Sequence, residues 1–255
     1  MISFTEAQLA VWLSPIFWPF LRTLAVFTSA PVFSSRAFPT RAKIALAFFV
    51  ALATQASIPS TSIIGLNDPG ALGAVAQQVG IGLAIGFAIR LVFAAVELAG
   101  EVVGFQMGLN FAAFFDPTIN AQSSAVARFF GQMVALLFLV MNGHLMVMMA
   151  VNRSFYAFPI DQNFLVSLER MRLYRFGAEI FASALWIALP MIGMLMFVNL
   201  ALGIVSRIAP QMNIFSVGFP LTLVVGLIGI TVTLPLLDQP FIALMERLLD
   251  VFGAV

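Results

Sequence analysis

Apolar positions along the chain gather into six long stretches, at residues 9–33, 44–64, 72–99, 126–151, 179–206 and 214–237. Each is long enough to form a helix across a hydrocarbon core of about 30 Å, which takes ~20 residues. Strand-like alternation is missing. Apolarity on every side swamps the 3.6-residue period, as expected of helices buried all round. The connections are short except for residues 97–128 and 152–178. The latter carries Arg153, Arg170, Arg172 and Arg175 against Asp161 and Glu169, and Leu165, Leu168 and Met171 are spaced as the stripe of a short surface helix. Residues 241–252 are amphipathic, with Glu246, Arg247 and Asp250 set against Leu244, Leu248 and Leu249. Pro15 and Pro19 interrupt the first run, and Pro190, Pro220 and Pro235 fall in or near the last two. Each removes a backbone donor and can kink a helix, either as ordinary bending or for a mechanical purpose.

Composition moves this pattern into a membrane. Of 255 residues, 62% are hydrophobic and only 9% charged, and the mean hydropathy is +1.06. Soluble domains carry about 25% charged residues, so the side chains that would cover a water-facing surface are missing and a soluble enzyme is excluded. The net charge of +1 argues against nucleic acid as a partner. With no cysteine, disulfides, thiolate metal sites and cysteine nucleophiles are excluded. Glu6 is the only charge before Arg22, so the first run lacks the basic flank of a secretory signal and is expected to be retained as a helix. Six simple crossings would put Arg36, Arg41, Lys43, Arg128 and Arg207 on one side and Arg153, Arg170, Arg172, Arg175 and Arg247 on the other. The positive-inside rule demands an asymmetry, and this division has none. Either residues 97–128 hold a re-entrant or extra segment, or the chain is not a conventional six-span protein.

One segment stands apart. Gly100, Gly104, Gly108 and Ala112 recur every four residues, a smooth stripe for close helix contact. Glu97 and Glu101 lie beside it. Phe111, Phe114 and Phe115 follow, then Asp116-Pro117 as a stop or turn. Three rings and Met107 gathered at one spot would make either a tightly packed contact or a mobile apolar constriction, since hydrophobic rings close pores by dewetting. Arg90, Glu97, Glu101, Arg128 and Arg207 sit in or at the edge of apolar runs. Snorkelling, pairing with a neighbouring subunit and a proton relay are the readings open for such groups. His144 is expected to be a hydrogen-bonded packing residue. No metalloprotease or P-loop motif occurs and the chain has one histidine, so no nucleophile–base constellation, cofactor site or metal site can be assembled.

Particular strings then carry a family resemblance. APVFSSRAFPTRAKIALA (residues 30–47), GFQMGLNFAAFFDP (104–117), FLVMNGHL (138–145) and above all NLALGIVSRIAPQMNIFSVGFPLTL (199–223) resemble the FliR family of flagellar export-gate proteins. The counterpart of that family in virulence-associated secretion is SctT. The similarity runs in order across nearly the whole chain; only the charged segment 152–178 has no matching motif. It implies an all-α membrane protein of kinked helical hairpins, a FliP-like part over residues 1–175 followed by a FliQ-like hairpin and amphipathic tail over 176–255. These would be built with FliP and FliQ into a helical hetero-oligomeric pore. FlhB and FlhA would be further partners and unfolded flagellar subunits the cargo, in the bacterial inner membrane within the flagellar basal body. It also implies a pore plug over about residues 104–122, closed by Met107, Phe111, Phe114 and Phe115. Gly100, Gly104 and Gly108 would pack the plug, and Asp116 and Pro117 turn it. Arg207, Pro210, Gln211, Asn213 and Phe215 would lie at the hairpin turn near the cytoplasmic entrance. Arg36, Arg41, Lys43, Arg90, Glu97, Glu101 and Arg128 would supply intersubunit charge pairs. A multi-pass secondary transporter and a pore-free scaffold are the competing readings.

Overall fold

The computed structural model of the chain describes residues 6–36, 38–55, 64–65, 68–109, 124–211 and 213–253. Regular structure among them is helical throughout. The order is α1 (Glu6–Ser29), α2 (Pro31–Ser34), α3 (Thr40–Gln55), α4 (Ala71–Gln106), α5 (Ala125–Val140), α6 (Gly143–Ala157), α7 (Phe164–Met171), α8 (Arg175–Ile208), α9 (Ile214–Thr233), a 3-10 turn (Leu234–Leu236) and α10 (Asp238–Asp250).

Among the described residues, three stretches are long and apolar enough to cross a membrane: Ala71–Gln106, Phe164–Ile208 and Ser216–Leu236. A bent pair, α5 with α6, would make a fourth. The apolar run 126–151 is two helices folded by 68° on each other. Asn142 between them adopts the left-handed conformation at φ 55, ψ 33, which Asn tolerates better than any β-branched residue. The run beginning at residue 44 lies in α3 as far as Gln55, and its residues 56–63 lie outside the described residues. The interior prolines, by contrast, do not break their helices. α1 continues through Pro15 and Pro19, α8 through Pro190 and α9 through Pro220. Only Pro235 coincides with a change, at the start of the 3-10 turn.

The chain clusters into two compact units that interleave in sequence. The first comprises Met1–Leu91, Asn142–Gly177 and Met245–Val255; the second comprises Val92–Met141 and Ala178–Leu244.

In the first unit α1 packs against α3 and the front of α4. Trp18, Val26, Phe27 and Ala30 are fully buried, and the Trp18 indole N–H donates to the Ile64 carbonyl at 3.1 Å. Gly82 and Gly86 let α4 lie directly on α1, because a side chain at either would collide with the Arg22 carbonyl and Ala25, or with Ser29. Val147, Ala150, Val151 and Phe155 of α6 complete this core. α7 is the expected short helix, but its stripe differs. Ser167 and Met171 face inward while Leu165 and Leu168 are exposed. The rotation follows from Phe164, whose ring occupies the space beside Gly80. The amphipathic tail forms as expected. α10 buries Leu244, Met245, Leu248 and Leu249 and leaves Glu246, Arg247 and Asp250 outside. From Met245 onward it belongs to the first unit, where Phe252 is fully buried with its ring 6.3 Å from that of Phe158.

The second unit is built on the back of α4. Ala95, Ala99 and Val103 of α4, Met107 just beyond its end, Phe130, Val134 and Phe138 of α5, and Ile187, Ala188, Met191 and Leu195 of α8 form its interior. The Phe93 and Phe138 rings meet at 5.7 Å.

Candidate functional site

The Gly100–Pro117 segment begins as helix and ends beyond what is described. α4 runs to Gln106 and closes through Gly108, whose φ of 79° is open to glycine and strained for L side chains. The Gly108 N–H donates to the Phe105 carbonyl at 3.0 Å and the Leu109 N–H to the Gly104 carbonyl at 3.1 Å, the paired bonds of a Schellman cap. Gly108 is therefore the terminator of the helix, while Gly100 and Gly104 form the packing stripe. A Cβ at Gly100 would sit 2.9 Å from the Ala127 Cα and 3.0 Å from Phe130, and one at Gly104 would sit 2.9 Å from the Ser124 hydroxyl.

The chain re-enters on the same spot. Ser124 is the N-cap of α5, its hydroxyl accepting from the Ala127 N–H at 3.1 Å. Its own N–H donates to Glu101 Oε2 at 3.0 Å. A carboxylate at a helix N-terminus satisfies an orphan donor and complements the helix dipole. Both ends of residues 110–123 are thus tied to one pair of helices. Phe111, Phe114, Phe115, Asp116 and Pro117 lie outside the described residues. Met107 is fully buried, with its side chain against Gly226 of α9 and its carbonyl accepting from the Thr222 hydroxyl at 3.2 Å. It roots the segment in the second unit.

The other sequence-derived residues are scattered. Arg207, Pro210, Gln211 and Asn213 are exposed at the turn between α8 and α9, and Asn213 accepts from the Ser216 N–H at 3.1 Å and its hydroxyl at 2.7 Å. Phe215 lies in the first turn of α9. Arg36 and Arg41 are exposed and Lys43 half-buried; Arg90, Glu97 and Arg128 are exposed. None of these six makes a side-chain hydrogen bond or ion pair among the described residues. His144 differs from expectation, since its Nδ1 is buried without a hydrogen-bond partner among the described residues. Two apolar clefts of about 280 and 210 Å³ flank the 3-10 turn, one against Trp186 and Pro190 of α8 and the other against Val96 and Val134.

Sequence reasoning passed over the most elaborate polar arrangement, in the first unit. Arg22 is fully buried. Its Nε donates to Gln78 Oε1 at 2.8 Å, Nη1 to the Ser154 hydroxyl at 2.8 Å and Nη2 to the Phe158 carbonyl at 2.9 Å. The guanidinium lies 3.7 Å over the Phe155 ring. Gln78 in turn donates to Gln77 Oε1 at 2.8 Å, and Gln77 donates to the Ser167 hydroxyl at 2.9 Å and the Pro159 carbonyl at 3.1 Å. Gln77 also accepts from the Asp161 N–H at 2.8 Å. A cation held by neutral acceptors and a ring face is satisfied without a carboxylate. This chain of bonds stitches α1, α4 and the α6–α7 connection together. The signal was available, as one arginine inside an apolar run and a Gln-Gln pair inside another.

Among known proteins, a family model described as bacterial export proteins, family 1, matches residues 13–248. The flagellar biosynthetic protein FliR of Pectobacterium carotovorum subsp. carotovorum is 42% identical over 241 residues, covering 94% of this chain and 92% of the relative. That of Escherichia coli strain K12 is 41% identical over the same span with the same coverage. That of Bacillus subtilis strain 168 is 32% identical over 216 residues, covering 84% of this chain and 83% of the relative.

Proposed function

This chain belongs to family 1 of the bacterial export proteins, the family of the flagellar biosynthetic protein FliR, and from that premise we propose that it forms the flagellar export channel with FliP and FliQ and closes it with an apolar loop. The observation that carries the reading is the double anchorage of residues 110–123. The Schellman cap at Gly108 and the Glu101–Ser124 cap on α5 fix where the chain leaves and returns. Fixed points of exit and re-entry are what a segment carrying the seal requires.

In this reading Phe111, Phe114 and Phe115 are the seal, Asp116 and Pro117 turn the loop, and Met107 pins its root. Each ring withdrawn from water contributes roughly 1.5–3 kcal/mol to closure, a barrier that an inserting polypeptide can displace. Gln211 and Arg207 at the α8–α9 turn face the entrance, where FlhB and FlhA bind. Residues 1–175 correspond to the FliP-like part and 176–255 to the FliQ-like hairpin. The assembly sits in the inner membrane within the flagellar basal body and is a conduit, not an enzyme. Energy comes from elsewhere, and unfolded flagellar subunits are the cargo.

The test is leak. Replacing Phe111, Phe114 and Phe115 together by Ala in the assembled gate should raise small-solute conductance well above the wild-type level. Conductance equal to wild type would remove the plug assignment.

A further inference from the structure

Met107 stands just past the last residue of α4, where helical carbonyls run out of intrahelical donors. Its carbonyl is answered from another helix of the same unit, by the Thr222 hydroxyl at 3.2 Å. That hydroxyl also lies 3.0 Å from the Phe219 carbonyl of its own helix. A threonine hydroxyl carries one proton, which goes to one carbonyl or is divided between the two. Thr222 is buried, so the choice lies between these acceptors and not with bulk water.

Three features make this a hold that can be released. When Thr222 leaves the Met107 carbonyl it still has Phe219, the ordinary back-bond of a helical threonine, so no buried donor is orphaned. The Met107 side chain is seated on a glycine. A Cβ at Gly226, one turn beyond Thr222, would come within 2.6 Å of its Sδ and Cε, so the unbranched thioether meets bare backbone there instead of an interlocking side chain. Pro220, two residues before Thr222, gives no N–H to the α9 ladder, and the helix bends most easily just ahead of the contact. The return end of residues 110–123 is held differently, by the Glu101 carboxylate on the Ser124 N–H and by the Ser124 hydroxyl on the Ala127 N–H.

We propose that Thr222 is a positioning residue for the seal. With its proton on the Met107 carbonyl it holds the root of the loop against α9 and the gate stays shut. With its proton on Phe219 the root is free of α9 and the seal gives way more readily. Gly226 is the seat from which Met107 is let go. From Asn213 at the α8–α9 turn to Thr222 is nine residues, about 14 Å of helix, so a push on that turn reaches the root through a single element. This rests on the plug reading above and adds to it the switch.

The experiment is conductance of the gate assembled with FliP and FliQ, in planar lipid bilayers, with the yield of mixed complex followed by native mass spectrometry. Thr222→Val keeps the shape and removes the proton, and should raise the open fraction about fivefold, the worth of one buried hydrogen bond. Thr222→Ala should do the same, and Thr222→Ser should restore wild-type behaviour. Thr233→Val is the control. Among the described residues that buried hydroxyl bonds only to Gly229 and Ile230 of its own helix, so its loss should leave the open fraction unchanged. An open fraction of Thr222→Val no higher than wild type, or a rise that Thr233→Val matches, would overturn the proposal. So would loss of the mixed complex in both Thr222→Val and Thr222→Ala, which would make the hydroxyl a purely structural bond. The triple alanine variant of Phe111, Phe114 and Phe115 separates the two readings. If it leaks and Thr222→Val does not, the switch is wrong and the plug stands; if the triple variant does not leak, both fall.

Discussion

At the scale of single residues, Arg22 decides more than any other described side chain. An ionised group buried in a mostly apolar body is tolerated only when its hydrogen-bonding positions are answered, and removal of one member leaves the rest unsatisfied. Arg22 supplies donors on three sides, to Gln78, Ser154 and the Phe158 carbonyl. Lysine keeps the charge but lacks the planar fork, so it can serve one or two of these positions. Arg22→Lys should therefore destabilise the chain by about 2–4 kcal/mol, seen as a lower melting temperature of the detergent-solubilised protein. An unchanged melting temperature would mean that the network is ornamental. The same logic explains why hydropathy hides such residues: averaged over a window, one arginine among twenty apolar side chains barely registers.

Among the helices, the contact between α4 and α5 ranks its glycines. At Gly100 a Cβ meets backbone, the Ala127 Cα at 2.9 Å, which cannot step aside. At Gly104 it meets the Ser124 hydroxyl, which can turn away at the cost of the α5 cap. Gly100→Val should cost roughly 1–3 kcal/mol by forcing the helices apart, whereas Gly104→Ala should cost about 1 kcal/mol, the worth of a lost cap. Chemical denaturation of the two variants checks the order. The stripe was legible in the sequence at these two positions, because spacing of four in a helix is a strong geometric statement. Gly108 was misread as its continuation, since a helix terminator and a packing glycine look alike until the backbone is seen. The long helices were legible from apolar length, and so was the amphipathic tail. The break at Asn142 was not, because the apolar pattern runs straight across it and only the backbone of one residue makes the turn. Nor was the rotation of α7, which a single ring against Gly80 on another helix dictates.

For the molecule as a whole, the decisive fact is that sequence order and spatial order disagree. The tail from Met245 onward belongs with α1 and α6, and not with the helices that immediately precede it. It contributes Met245, Leu248, Leu249 and Phe252 to the first unit, all at most 2% exposed. Deleting residues 245–255 removes several large buried side chains, each worth about 2–5 kcal/mol. The first unit should then become sensitive to limited proteolysis in its α6–α7 connection, while cleavage within Val92–Met141 stays at the wild-type rate. Equal protection of both units in the truncated chain would show that the tail is dispensable.

That interleaving also sets a timetable. A ribosome alternates between the two units, and only after the last of the second does it make the stretch that shuts the first one. α1 and the front of α4 therefore emerge early and wait, with the pocket for Leu248 and Phe252 still open, until some two hundred and fifty residues have been translated. Chains ending at residue 244 should hold a finished second unit and an unfinished first one, so that maturation of this protein ends where its synthesis began.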